Sequence, residues 1–164
     1  MKNIKLSIFI VLAVLLPFAN YAQSEKDTQD WIVSKLTSHV YSNGLHNYSF
    51  DFSTKGNLII TQPTYGTDFY FRIPLNKINQ VIINSFSVED REGYSIKFRC
   101  INREDCITVT NNNSKNSGTS IEFLSARELY FNKSLGQDNL PNRLKKAFTH
   151  LIKLNGGKTI DDVF

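Results

Sequence analysis

Between Tyr48 and Asn132 the apolar residues recur at every second position, in short runs divided by turn-forming residues. In YSFDFS, Tyr48, Phe50 and Phe52 fall on one side and Ser49, Asp51 and Ser53 on the other. A period of two marks a strand that buries one face, because successive side chains of an extended backbone point to opposite sides. GNLIITQP, DFYFRIPL, INQVIIN, YSIKFRCI, CITVTN and TSIEFLS follow at short intervals, and ELYFN is a possible eighth run. The links STKGN, TYGT, EDREG and NNNSKNSG supply Gly, Asn, Asp and Ser, which favour turns. Short strands at this spacing predict an antiparallel sandwich or barrel. Residues 111–118 read as a long hairpin loop, since too little chain follows them to build a second core.

Helical spacing brackets the strands. In WIVSKLTSHVYSNG, Ile32, Leu36 and Val40 recur at i, i+4, with Asp27 or Thr28 as a possible cap and Asn43-Gly44 as a stop. In DNLPNRLKKAFTHLIKLNGG, residues Leu140, Leu144, Ala147, Phe148, Leu151 and Leu154 form one stripe. Asp138 or Asn139 can cap that second helix, Pro141 sits in its first turn, and Gly156-Gly157 ends it. Its apolar stripe must dock on something, and the open end of a β-barrel is the natural place.

About seven antiparallel strands closed by a C-terminal amphipathic helix resemble the pleckstrin-homology-like (PH-like) fold. The run FRIPLNKINQV is similar to the linker between consecutive strands in bacterial PH-like domains. The resemblance spans most of residues 48–155 and leaves the first helix as an addition. It implies a mostly β (α+β) chain, a PH-like barrel with a short N-terminal helix and a C-terminal capping helix, and a binding or assembly module instead of an enzyme. A lipocalin-type barrel is the competing architecture, and it implies a carrier of an apolar small molecule.

The N-terminus, MKNIKLSIFIVLAVLLPFANYAQS, joins Lys2 and Lys5 to an apolar run and closes on small residues near Ala22. That pattern predicts a secretory signal peptide over 1–22, cleaved after Ala22 or Ser24, and a single β-rich domain over 23–164. The apolar run falls short of the ~20 residues that span a bilayer, so no transmembrane segment is expected after cleavage. The expected localisation is periplasmic or secreted. Two of the nineteen basic residues leave with the signal, so seventeen face fifteen acidic ones and the net charge drops from +4 to +2. So small an excess, without an array of stacking aromatics, does not point to nucleic acid. The Asn- and Lys-rich composition suits a bacterial origin.

Cys100 and Cys106 are the only cysteines, and in an oxidising compartment each has only the other as an intrachain partner. A disulfide is expected. The five residues between them do not match a C-x-x-C redox pair. Read as a hairpin bend, a four-residue loop sets Phe98 against Val109 and builds the better core, but turns the two sulfurs to opposite faces. A β-bulge beside the loop is therefore predicted along with the bond.

Catalytic signatures are missing. The chain has no G-x-S-x-G, S-x-x-K, H-E-x-x-H or glycine-rich phosphate loop. Asp51 and Asp68 sit at strand positions, and Glu89-Asp90 and Glu104-Asp105 in bends, where acids ordinarily serve solubility. His39, His46 and His150 show no metal-ligand spacing. A non-enzyme without metal or cofactor is the expectation, and a hydrolase would need a cleft joining a histidine to a serine or carboxylate.

Two surfaces are left as candidates for an unknown protein or lipid partner. Arg143, Lys145, Lys146 and Lys153, with His150 nearby, lie on the final helix and suit anionic headgroups or an acidic protein, or else form a solvated face. Among the aromatics near residue 70, alternation assigns Phe69 and Phe71 to the core and leaves Tyr65 and Tyr70 for recognition. The tentative interaction surface is thus Tyr65, Tyr70, Arg143, Lys146 and Lys153.

Overall fold

The computed structural model describes residues 25–41, 47–64, 67–88, 91–113 and 119–160. The expected signal segment, the Asn43-Gly44 stop, His46, Tyr65 and Glu89-Asp90 lie outside them. A helix over residues 25–39 (α1) precedes eight strands: β1 (Ser49–Phe52), β2 (Asn57–Thr64), β3 (Thr67–Pro74), β4 (Ile78–Val88), β5 (Arg91–Cys100), β6 (Ile107–Asn113), β7 (Thr119–Leu124) and β8 (Ala126–Asn132). The second helix, α2, spans Leu140–Leu154. The chain is mostly β, and every strand pairing is antiparallel. Among the described residues the strands form no closed barrel: they make a five-stranded sheet, in the order β1-β2-β3-β6-β7, and a three-stranded sheet, β4-β5-β8.

The expected β5–β6 hairpin is absent, although its disulfide is present. β5 pairs with β4 and β8, whereas β6 pairs with β3 and β7, so neither Val109 nor Thr108 faces Phe98. The two strands are successive stretches of one arm of a long bent hairpin whose other arm is β7 and β8. Arg99 pairs with Ala126 and Ile107 pairs with Leu124. On the second arm only Ser125 separates those partners, whereas the first arm must fit everything from Cys100 to Cys106. The surplus is extruded. The Cys100 N–H donates to the Ser125 carbonyl at 2.9 Å and the Cys106 N–H to the Leu124 carbonyl at 3.1 Å, so the ladder resumes across the gap. The Cys100–Cys106 disulfide, with Cα atoms 5.9 Å apart, closes the neck of the extruded loop. Within it Asn102 and Arg103 take φ of 55° and 60°, a left-handed bend that returns the chain to its line. A bulge does lie beside the cysteines, but in β4, where the register shifts between Ile78 and Gln80 opposite Cys100 and Arg99.

The inner faces of both sheets and α2 share one core. Leu58, Ile60, Ile73, Ile96, Phe98, Ile107, Leu129 and Phe131 are fully buried between them. Pro74 ends β3, and the 3-10 turn Leu75–Lys77 carries the chain to the second sheet with Leu75 turned inward. α2 packs on β4, on this turn and on the 3-10 segment Lys133–Asn139. Its buried stripe is Leu140, Leu144, Phe148, Leu151 and Ile152. Ile152 takes the place expected for Leu154, which is 38% exposed. Phe148 meets Phe98 edge to face, ring centroids 5.1 Å apart. Asn139 caps the helix from a left-handed φ of 56°, and its side chain accepts from the Asn142 amide at 2.5 Å, not from the helix backbone.

α1 begins early enough that Asp27 and Thr28 lie inside it and cannot cap it. It buries Ile32 and Leu36, while Val40 leaves the helix and bridges to Phe131 of β8. Asn155, just past α2, donates to Glu25 of α1 at 3.2 Å and to the Leu151 carbonyl at 2.9 Å. It also lies over Gly56, whose φ is +68° and where an added Cβ would come within 1.7 Å of the Asn155 side-chain oxygen. Both the turn and the close approach require glycine there.

Two stability outcomes follow from this packing. Phe148→Ala should lower unfolding free energy by about 3–5 kcal/mol, because it empties a site walled by Phe98 and the two sheets. Reducing the disulfide should lower it by about 2 kcal/mol, the loop-closure contribution expected for so short a ring. Urea unfolding followed by far-UV circular dichroism, with and without reductant, checks both.

Candidate functional site

The residues singled out in the sequence do not converge. Cys100 and Cys106 are joined at the corner between the sheets. Tyr70, 37% exposed, faces outward from β3, and Tyr65 lies outside the described residues. Arg143, Lys146, His150 and Lys153 share the exposed side of α2, on a different element. Arg143 is partly engaged, its guanidinium 5.2 Å from the Trp31 ring centre, where it helps join the two helices. Asp51 is exposed on β1 and Asp68 lies on β3. Among the described residues no group of three His, Cys, Asp or Glu side chains could hold a metal ion, and no helix is long and apolar enough to cross a membrane.

The outer face of the five-stranded sheet brings together residues that alternation alone did not single out. Register places Ser49, Thr61, Tyr70, Thr110 and Ile121 in one row across the sheet, and Asp51, Ile59, Arg72, Thr108 and Phe123 in the next. Ile121 and Phe123 are 60% and 61% exposed. In β7 the usual rule is reversed: Glu122 pairs with buried Val109 and so lies on the core side of the strand, exposed at the sheet edge, while the large apolar residues lie on the outer side. β7 is also a sheet edge. An inward-facing charge on an edge strand discourages strand-to-strand pairing, which leaves the face as the surface on offer. The missed signal was the run TSIEFL itself, which alternates equally well whichever side is buried.

A second feature lies on the inner side. Arg127 pairs with Phe98 and stacks on the Phe71 ring with its guanidinium carbon 3.8 Å from the ring centre. Its Nη2 donates to Gln62 Oε1 at 2.7 Å, and its Nε is buried without an acceptor. Burial pulls its pKa below the ordinary arginine value, an effect opposed by the Tyr48 and Tyr130 phenols. The same burial raises the Tyr48 hydroxyl, against the pull of Arg127 and of a backbone hydrogen bond from Tyr130. The run ELYFN reads as a strand by its alternation, which does not reveal that Arg127 just before it lies on the inward side.

No protein-family model, curated protein or solved structure matches this chain, so its sites rest on their own geometry.

His39 serves as a latch. Its Nδ1 lies 2.6 Å from Ser134 Oγ. That hydroxyl makes a short hydrogen bond to the Asn132 side-chain oxygen, while the Asn132 amide donates to the Val40 carbonyl at 3.4 Å. The end of α1 is thereby tied to the exit of β8. Burial first, and Lys35 second, hold the His39 pKa below its usual 6.5. The unfolded chain therefore binds a proton that the folded chain resists, so folding stability should fall as pH drops through about 6.5 and level off below the folded-state pKa. Urea midpoints measured from pH 8 to pH 5 should show this loss in the parent chain and a smaller one in His39→Gln.

Proposed function

We propose that this chain is an exported, non-catalytic binding or assembly module of the bacterial cell envelope, periplasmic or secreted, that docks a protein partner on the outer face of its five-stranded sheet. The observation that carries this reading is the exposure of Ile121 and Phe123, in the same rows as Tyr70 and Arg72, on a sheet face that none of the described residues covers. Large apolar side chains grouped in the open mark interaction surfaces on soluble chains. The threonines between them and the exposed Arg72 supply a polar surround of the kind protein interfaces use. The disulfide is compatible with an oxidising compartment. A C-terminal helix packed over two antiparallel sheets supports PH-like kinship. Phe50, Phe98, Phe131 and Phe148 fill the space between the sheets, which favours a binding module over a lipocalin-like carrier.

A photo-crosslinking residue placed at position 123 in the exporting cell should capture a discrete protein adduct, identified by mass spectrometry. The same probe at position 146 on α2 separates the two candidate surfaces. With the probe kept at position 123, Tyr70→Ser with Ile121→Ser should abolish the adduct and change stability by no more than about 0.5 kcal/mol per site, as exposed positions do. Adducts at position 146 alone, or an unaltered partner complex in the double variant, would reject the outer face.

A further inference from the structure

Arg127 has no part in the outer face. It projects from β8 on the side of Leu129 and Phe131, both fully buried. A charge taken out of water is costly unless its surroundings replace the lost solvation. Here the replacement is incomplete. Phe71 covers one face of the guanidinium at 3.8 Å, the neutral Gln62 takes one hydrogen bond at 2.7 Å, and Nε has no acceptor. None of the ion pairs among the described residues includes Arg127. Among the described residues, the groups that act on its charge are the phenols Tyr48 and Tyr130, not a carboxylate. If position 127 served only to pack the two sheets together, methionine or leucine would do so without the desolvation cost.

We propose that Arg127 anchors a binding site for a carboxylate-bearing ligand at the inner rim between β8 and the β2–β3 hairpin. The residue as a whole is only partly buried, although its Nε is not exposed. With Phe71 on one face, the donors that remain lie in the guanidinium plane, the geometry that a planar two-oxygen group accepts edge to edge. One carboxylate neutralises one guanidinium. A phosphate dianion would be left half-compensated. The ligand class is therefore a monoanionic carboxylate, whether a free acid, a fatty acid or the C-terminus of a peptide. This site is separate from the outer face and does not depend on it.

The test reads one signal in the unaltered chain. In uniformly 15N-labelled protein the Arg127 Nε–Hε resonance, assigned through its own side-chain correlations, is followed at constant ionic strength against five probes. These are acetate, decanoate, an acetylated tripeptide with a free C-terminus, its C-terminal amide, and inorganic phosphate. The expected result is a saturable shift with at least one carboxylate and none with the amide or phosphate. Tighter binding of decanoate than of acetate assigns an apolar-tailed acid, tighter binding of the free-acid peptide assigns a chain terminus, and equal binding assigns a small free acid. Arg127→Lys keeps the charge but loses the fork and should weaken binding roughly tenfold or more. The absence of a saturable shift with all three carboxylates, or an equal shift with phosphate, overturns the proposal.

Discussion

The corner at Cys100, Cys106 and Ser125 determines the architecture. Both arms of the bent hairpin change sheets there, so β5 and β6 on one side and β7 and β8 on the other fix how the two sheets meet. Two arms of unequal length cannot stay in register through a bend unless the longer one expels its surplus. Ser125 alone spans the corner on the second arm, and the first arm expels the residues between its cysteines. The hydrogen bonds from Cys100 to Ser125 and from Cys106 to Leu124 hold the ladder on either side of the gap. The covalent bond then restricts the unfolded chain at the place where a mistake in register would be most damaging. A one-residue slip would turn Ile107 and Val109, both buried, to the solvent face.

Two sheets joined at a corner leave an opening, and α2 occupies it. Leu144, Phe148, Leu151 and Ile152 are fully buried, and the edge-to-face contact of Phe148 with Phe98 joins the helix to the central strand of the smaller sheet. Asn155 extends this closure by reaching α1 through Glu25, the helix through Leu151, and the β1–β2 turn by its contact with Gly56. His39, Ser134 and Asn132 do the corresponding work at the far end of α1. The N-terminal helix is thus built into the fold at both ends, and is more than an addition to a strand-and-helix unit.

Local periodicity made much of this legible. Each strand from YSFDFS to ELYFN could be placed by its period of two, and both helices by i, i+4 spacing, because those patterns depend only on neighbours along the chain. Non-local choices could not be read in the same way. The segment between the cysteines resembles a hairpin turn, and nothing within CINREDC indicates that β5 and β6 take different partners. Only the competing pairings of β8 with β5 and of β7 with β6 decide it. Ile152, not Leu154, completes the buried stripe of α2, because which side of a helix is buried depends on the elements it packs against, here β4 and the 3-10 turns. Alternation leaves Tyr70 outside the core, and it is exposed, but the residues that share its face follow only from the register of five strands.

The two candidate surfaces share a cause. Along β7 and the start of β8 the alternation is reversed twice, first where Ile121 and Phe123 face water while Glu122 takes the core side, then where Arg127 lies among buried residues on the inner side of β8. Both departures flank Ser125. In β1, β2, β3 and β5 the pattern holds, with Phe50, Leu58, Ile60, Phe71, Ile73, Ile96 and Phe98 all buried where the period requires it, while β4 departs from it at its bulge and at exposed Val88. A sequence that obeys a folding rule throughout most of its length and breaks it within seven residues is not poorly specified there. Local violations of otherwise consistent patterning concentrate where a chain meets something other than itself. The corner accounts for why both fall at this place. A bend already interrupts the ladder and exposes the ends of two strands, so an outward apolar pair and an inward cation cost less fold stability here than in the middle of either sheet.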